Sequence, residues 1–350
     1  MKTDFILSNW VRNNVSQLKA YSSARDEFSD PQAGMTFLDA NENPFDNGIN
    51  RYPDPQQGLL KKQLAAIKGV DTQQILLGNG SDEVLDLIFR VFCEPNQDEV
   101  ITLPPTYGMY SVLANTNAIA NIEVPLTESF QPNVVEIFNR VSPKTKALFL
   151  CSPNNPSGNS FESDVLKELI QKFPGIVVVD EAYIDFSTQE SLLTIMNDSP
   201  NLIVTQTFSK AYGMAGIRLG VCYASSEIIA LLNRIKPPYN INILSQQRAL
   251  EGLKNQRHIQ AQVEILLSER NRVEKALESV SIVEKIYPSD ANFILAKVDD
   301  ASLRYQQLIE KGIVTRNRSN QLLCSECLRF TIGTPEENDR LIEALNTLSC

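Results

Sequence analysis

Short apolar runs alternate with amphipathic segments through most of the first 225 residues. Five runs rich in β-branched residues predict buried strands, at 100–103, 147–150, 176–179, 202–205 and 219–223. Segments with helical periodicity lie between many of them, and residues 163–173 place four apolar side chains on one helical face. This alternation of strand and helix predicts an α/β layer with a mostly parallel sheet.

The last hundred residues follow a different pattern. Residues 243–279 have helical periodicity and no proline, which predicts one long helix or two helices separated by a kink. A strand at 291–298, a helix at 302–311, a strand at 328–332 and a closing helix from Pro335 come next. We therefore expect a second, smaller domain of mixed α and β structure.

Length and charge exclude several classes of protein. A chain of 350 residues is long enough for two domains, each holding roughly 100–200 residues. A net charge of -10, from 42 acidic and 32 basic residues, argues against binding to nucleic acid. The first ten residues do not look like a signal peptide, and no window approaches the ~18 apolar residues of a membrane span. We expect a cytoplasmic protein without nucleic-acid or membrane partners.

The six cysteines are scattered through apolar runs without regular spacing. We expect most of them to be reduced residues of the core. Cys324 and Cys327 have the spacing of a redox pair or of half a zinc site, but no second pair exists and His258 is the only histidine. No metal site is predicted.

Residues 207–218 are the most informative stretch of the chain, because they follow an apolar strand and contain one lysine among uncharged residues. Burial disfavours the ammonium form, so Lys210 can present a neutral amine that attacks an aldehyde at neutral pH. Arg218, eight residues later, can hold an anion. Pyridoxal phosphate contains both an aldehyde and a phosphate, and it therefore suits the set of Ser209, Lys210 and Arg218.

Two further segments suit the ring of such a cofactor. Asp180 ends a buried strand, where a carboxylate needs a cation such as a protonated pyridine nitrogen. Asn155 lies in a loop stiffened by two prolines, and it can donate to the phenolic oxygen together with the hydroxyl of Tyr183. A turn-capping aspartate and a plain turn are the alternatives, which neither segment excludes alone.

The segment at 77–83 runs from a strand into a helix and contains Gly78, Gly80, Ser81 and Asp82. Free amide groups at the start of a helix attract phosphate, and glycines allow a close backbone approach. The segment lacks the third glycine of a dinucleotide fingerprint and the Gly-Lys-Ser of a nucleotide loop. A capped glycine turn is the alternative.

Three more side chains are candidates for the site. Tyr107 follows the strand at 100–103 and can stack on a flat ring, although a core tyrosine has the same pattern. Arg316 and Arg329 stand thirteen residues apart, and a guanidinium binds carboxylate or phosphate through two parallel hydrogen bonds. Ordinary surface arginines are the alternative.

Together, Asn-Pro-Ser-Gly at 155–158, Asp-Glu-Ala-Tyr at 180–183 and residues 209–218 resemble the fold-type-I pyridoxal-phosphate aminotransferases. With Asn-Glu-Asn-Pro at 41–44, Arg-Tyr-Pro at 51–53, residues 105–110 and Cys-Leu-Arg at 327–329, the chain is similar to the histidinol-phosphate aminotransferases. The similarity spans nearly the whole length.

The resemblance implies a role for each candidate. Lys210 would bond covalently to the cofactor, Asp180 would pair with the ring nitrogen, Asn155 and Tyr183 would donate to the phenolic oxygen, and Tyr107 would stack on the ring. The cofactor phosphate would be bound by Ser81, Asp82, Thr207, Ser209 and Arg218, with Tyr52 from the other subunit of a homodimer. The substrate would be bound by Arg316, Arg329, Tyr21, Asn155 and Tyr52.

The resemblance also implies an architecture and an activity. The α/β fold would comprise an arm (1–34) packing with the small domain, a large cofactor-binding domain (35–250) with a mostly parallel sheet, and a small α+β domain (251–350). The reaction would be transamination between L-histidinol phosphate and 2-oxoglutarate, giving imidazole-acetol phosphate and L-glutamate in histidine biosynthesis.

Three alternatives share this fold. An aromatic amino-acid aminotransferase is the nearest, because the same arginine can bind an α-carboxylate, and a threonine-phosphate decarboxylase is more distant. The sensing domain of a transcription regulator is opposed by the acidic charge and by the short stretch of about forty residues before the first motif.

Overall fold

A seven-stranded sheet forms the centre of the computed structural model, which describes residues 5–23, 25 and 35–348. Its spatial order is β1-β7-β6-β5-β4-β2-β3. The strands are β1 (Ile75–Asn79), β2 (Glu99–Thr102), β3 (Ala120–Glu123), β4 (Thr145–Cys151), β5 (Ile176–Asp180), β6 (Leu202–Thr207) and β7 (Leu219–Ala224).

All neighbouring strands of this sheet pair in parallel except those that flank β7, which runs antiparallel to both β6 and β1. The carboxyl ends of the other strands and the start of β7 therefore meet at one edge. In sheets of this kind, binding residues gather at that edge.

Helices cover both faces of the sheet. Within β4, Leu148 and Leu150 belong to one hydrophobic cluster, while Ala147 and Phe149 belong to the other. This period of two explains why the strands read as continuous apolar runs, since both faces are buried. The helices of this domain are α1 (Asn13–Gln17), α2 (Gly58–Lys68), α3 (Gly80–Phe92), α4 (Met109–Thr116), α5 (Val134–Arg140), α6 (Ser163–Lys172), α7 (Ser226–Ile235) and α8 (Ile243–Leu253).

A smaller antiparallel sheet, in the order β10-β11-β9-β8, organises the second domain. Its elements are α9 (Gln256–Leu277), β8 (Val283–Ile286), β9 (Phe293–Val298), α10 (Ala301–Glu310), β10 (Arg316–Asn317), β11 (Cys327–Thr331) and α11 (Pro335–Asn346). The predicted helical stretch at 243–279 is two helices, because Asn255 has a non-helical backbone between α8 and α9. The α/β fold with a smaller α+β domain is confirmed, whereas the exact boundaries at 34 and 250 stay predictions.

The described part of the amino-terminal arm lies on the large domain, which corrects the expected packing with the small domain for these residues. Val11 and Val15 are buried in the cluster that contains side chains of α3 and α7. The guanidinium of Arg12 donates to both carboxylate oxygens of Glu94, at 3.1 Å each. Val15 lies in α1 and Val11 lies two residues before this helix, and both apolar side chains reach the same cluster. Residues 26–34 lie outside the described residues.

Five cysteines of the described chain are buried, free thiols, and Cys350 lies outside the described residues. In the same part of the chain, no helix combines the length and apolar character needed to cross a membrane.

The buried sheet predicts that a matched pair of substitutions differs sharply in effect. Val178 in β5 is fully buried, whereas Val135 in α5 is 72% exposed. Val178→Ala removes buried methyl groups and leaves a cavity, so we expect the free energy of unfolding to fall by about 2 kcal/mol. Val135→Ala should change it by less than about 0.5 kcal/mol. Equal urea midpoints for the two variants would contradict the described core.

Candidate active site

The candidate residues of the large domain converge on the carboxyl edge of the main sheet. Five parts of the fold carry these residues. They are the start of α3, the loops after β2, β4 and β6, and the end of β5. The side chains concerned are Ser81, Asp82, Tyr107, Asn155, Asp180 and Lys210.

Asp180 is a buried acid at the end of β5. Only 2% of the residue is exposed, and among the described residues it forms no ion pair. Its Oδ2 accepts from the hydroxyl of Tyr110 at 2.9 Å, and its Oδ1 accepts from the Ala182 N–H at 3.2 Å. Burial raises the pKa of Asp180 to about 6, although these hydrogen bonds act to lower it. A protonated pyridine nitrogen would supply the missing cation.

The Lys210 side chain lies near the other polar groups, and its Nζ is 5.6 Å from the centroid of the Tyr183 ring. Burial lowers the pKa of the Lys210 amine, the positive charge of Arg329 lowers it further, and Asp180 opposes the shift. A larger fraction of this amine is therefore neutral at neutral pH than for an exposed lysine.

Asn155 connects the two domains. Its Oδ1 accepts a hydrogen bond from Nη1 of Arg329 in β11, and its Nδ2 donates to the hydroxyl of Tyr183 at 3.4 Å. Arg329 also lies over the ring of Phe293, 4.9 Å from the centroid. Because the amide oxygen of Asn155 accepts a hydrogen bond from Arg329, its Nδ2 donor is oriented toward the site.

The start of α3 forms a cradle for an anion. Gly80 has φ +73°, and its N–H donates to the carbonyl of Arg218 at 2.9 Å. A Cβ at Gly220 would lie 2.3 Å from the N atom of Ser81, so β7 approaches the helix start as closely as glycine permits. Helix-start amides and the Arg218 guanidinium are suitable phosphate ligands.

Asp82 holds two other residues of this cradle. Its Oδ1 accepts from the hydroxyl of Tyr107 at 3.0 Å, and its Oδ2 lies 3.7 Å from Nη2 of Arg218. Thr207 accepts from the N–H of Ser209 at 3.1 Å, which fixes the turn before Lys210. Each part of pyridoxal phosphate thus has a suitable partner among these residues: a buried acid, amide and hydroxyl donors, a lysine and an anion cradle.

Three candidates lie apart from this group. Tyr52 is half-exposed and stacks on Tyr239 with centroids 4.5 Å apart, and Tyr21 is 73% exposed. Arg316 is exposed and lies opposite Arg329 in the β10–β11 pair. The expected roles of Tyr52, Tyr21 and Arg316 stay predictions, as does the stacking of Tyr107.

Two residues of the site were missed by the sequence analysis. Tyr110 holds Asp180, and its position one helical turn after Tyr107 was the available signal. Arg318 follows Arg316 by two residues, so strand alternation places both on one face.

The fold and the site together define a fold-type-I aminotransferase. The sequence model of the family "Aminotransferase class I and II" matches residues 35–345. The histidinol-phosphate aminotransferase of Flavobacterium johnsoniae is 60% identical over 346 residues, which are 99% of each chain. The chain therefore belongs to the class I and II aminotransferase family, on its histidinol-phosphate aminotransferase branch.

Solved structures agree with this fold. The histidinol-phosphate aminotransferase from Clostridium acetobutylicum is similar with a TM-score of 0.78 at 22% identity, over 85% of this chain and 90% of that one. The enzyme from Sinorhizobium meliloti, solved in complex with pyridoxal-5'-phosphate, has a TM-score of 0.77 at 24% identity, over 85% and 82% of the two chains.

The buried carboxyl of Asp180 predicts a pH-dependent stability. Its ordinary pKa is 3.8, and burial in the cofactor-free protein raises it to about 6. The folded state thus keeps a proton that the unfolded chain loses, so the free energy of unfolding falls as the pH rises through this window. At pH values above this window, the buried Asp180 carboxylate lowers the free energy of unfolding by its full amount, about 3 kcal/mol.

We therefore expect Asp180→Asn to raise the urea midpoint of the cofactor-free protein at about pH 8, with the gain disappearing by about pH 4. Asp198→Asn at an exposed position is the matched control for the substitution itself, and it should change the urea midpoint at about pH 8 much less than Asp180→Asn does. A difference between wild type and Asp180→Asn that does not vary with pH would contradict the argument from burial.

Proposed function

We propose that the protein catalyses transamination between L-histidinol phosphate and 2-oxoglutarate, with pyridoxal phosphate as its cofactor. The reaction is a step of histidine biosynthesis. The observation that carries the proposal is the meeting, at one sheet edge, of buried Asp180 and the Lys210 amine with Arg329 from the small domain. The name of the 60% identical relative supports the choice of substrate.

The residues described above would hold the cofactor by its separate parts. Asp180 would bind the ring nitrogen, and Asn155 and Tyr183 would donate to the phenolic oxygen. The start of α3, with Ser81, and the side chains of Thr207, Ser209 and Arg218 would bind the phosphate. When bound, the cofactor supplies an aldehyde and an electron-withdrawing ring that stabilises negative charge on the substrate's α-carbon.

The Lys210 amine would move the proton in this reaction. In its neutral form the Nζ atom can remove the proton from the α-carbon of the substrate and return it later. Burial and the charge of Arg329 lower its pKa and so favour that neutral form. The buried Asp180 carboxylate, once paired with a ring cation, stays ionised and keeps that cation protonated.

The arginines of the small domain would bind the anionic end of each substrate. Arg316 and Arg329 lie opposite each other on β10 and β11, so their guanidinium groups can face one ligand. Histidinol phosphate carries a phosphate, and glutamate carries a carboxylate at the corresponding end. One pair of arginines can therefore serve both half-reactions.

The assembly and location follow as further parts of the proposal. Exposed Ile49, Tyr52 and Leu244 line a cleft of about 500 Å³ on the surface, which suits a homodimer in which Tyr52 extends into the site of the partner subunit. Five free thiols in the described chain suit the reducing cytoplasm.

Side-by-side assays test the proposed substrate. We expect kcat/KM for histidinol phosphate with 2-oxoglutarate to exceed that for L-phenylalanine by at least about 10²-fold, because a site built for a charged group rejects analogues that lack it. Higher activity with phenylalanine would assign an aromatic aminotransferase. Release of carbon dioxide from threonine phosphate would assign a decarboxylase.

Replacement of Lys210 tests its assigned role. We expect Lys210→Ala to lower kcat by more than about 10²-fold, since proton transfer alone contributes at least that much. Lys172→Ala is the control, because that lysine is exposed on α6 and pairs with Glu168 at 2.8 Å. A Lys210→Ala rate above about one tenth of the wild-type rate would remove Lys210 from the reaction.

A further inference from the structure

The β10–β11 hairpin carries a third arginine for which the proposed function has no role. The N–H of Arg318 donates to the carbonyl of Cys327 at 2.8 Å, which extends the strand pairing one residue beyond Arg316 and Asn317. Arg316 lies opposite Arg329. Since side chains alternate along a strand and opposite residues share a face, Arg316, Arg318 and Arg329 lie on one face of the hairpin.

Two donor atoms of these guanidinium groups lack partners in the described part of the chain. The Nε atoms of Arg318 and Arg329 are both buried, and neither has a hydrogen-bond partner within residues 5–23, 25 and 35–348. Arg318 also forms no ion pair with a carboxylate in that part of the chain. A buried donor without an acceptor costs free energy, so an arrangement of this kind is suited to an external anion.

The positive charge of Arg318 also affects Tyr183 at the centre of the site. Burial, together with the positive charges of Arg329 and Arg316, lowers the pKa of Arg318 to about 10. Arg318 and Arg329 both act to lower the pKa of Tyr183, against the larger raising effect of burial. Arg318 therefore lies near Tyr183 and near the other two arginines.

We propose that Arg318 determines substrate specificity, because its guanidinium donates to the phosphate of the substrate and favours a phosphate monoester dianion over a carboxylate. This inference rests on the proposed function. At equal distance, a dianion is attracted to an added positive charge twice as strongly as a monoanion. Arg318 thus strengthens the binding of histidinol phosphate more than that of glutamate.

Steady-state kinetics of the holoenzyme test the proposal through the two amino donors. For Arg318→Gln we expect KM for histidinol phosphate to rise about tenfold or more, with kcat and the KM for glutamate within about threefold of wild type. Arg318→Lys keeps the charge and should recover part of the loss. Arg140→Gln on α5 is the matched control, because that exposed arginine pairs with Glu136 on its own helix.

Equal increases in both Michaelis constants, or no increase in either, would overturn the role of Arg318. A second measurement does not depend on turnover. Calorimetric titration of inorganic phosphate into the holoenzyme should show binding about tenfold weaker in Arg318→Gln than in wild type or Arg140→Gln. Equal affinities would contradict the inference. A wild-type protein that does not turn over histidinol phosphate would instead contradict the proposed function.

Discussion

The arrangement of the site depends on one constraint, which is that the Asp180 carboxylate is buried with no ion-pair partner in the described part of the chain. The strand β5 is buried along its whole length, so its last side chain is held at the carboxyl edge of the sheet with little access to water. Tyr110 and Ala182 fix the two carboxylate oxygens, but their hydrogen bonds do not remove the cost of burying the charge. In the proposed function, a ring cation would offset that cost and would thereby be bound in one orientation.

Both domains contribute charged side chains to one site. The large domain provides the buried acid and the lysine, whereas the small domain provides Arg329, which binds Asn155 across the domain boundary. The same arginine faces the substrate in the proposed function and also lowers the pKa of Lys210. Binding of the substrate anion, orientation of the amide donor and basicity of the lysine are therefore physically coupled.

Much of this could be predicted from the sequence, because the signals were local. β-Branched runs gave the long strands of the main sheet, and polar residues directly after those strands gave Asn155, Asp180 and Lys210. The short strands β3, β8 and β10 were not predicted, since two to four residues carry too little periodicity.

Partners distant in sequence were also missed, because tertiary packing decides them. Tyr110 reaches Asp180 across seventy residues, and the arm packs on α3 and α7 through Val11 and Val15, so local patterns contain neither contact. The position of Arg318 beside Arg316 and Arg329 depends on the register of β10 against β11, which local patterns do not contain.

The most direct test of the account is the position of the bound cofactor on the chain. Borohydride treatment of the holoenzyme fixes a covalently held pyridoxal group on the amine that carries it, and peptide mapping by mass spectrometry then locates that amine. The account predicts one modified peptide, labelled at Lys210, and none in the Lys210→Ala protein. A label on another lysine, or no label in a protein that is active with pyridoxal phosphate, would contradict it.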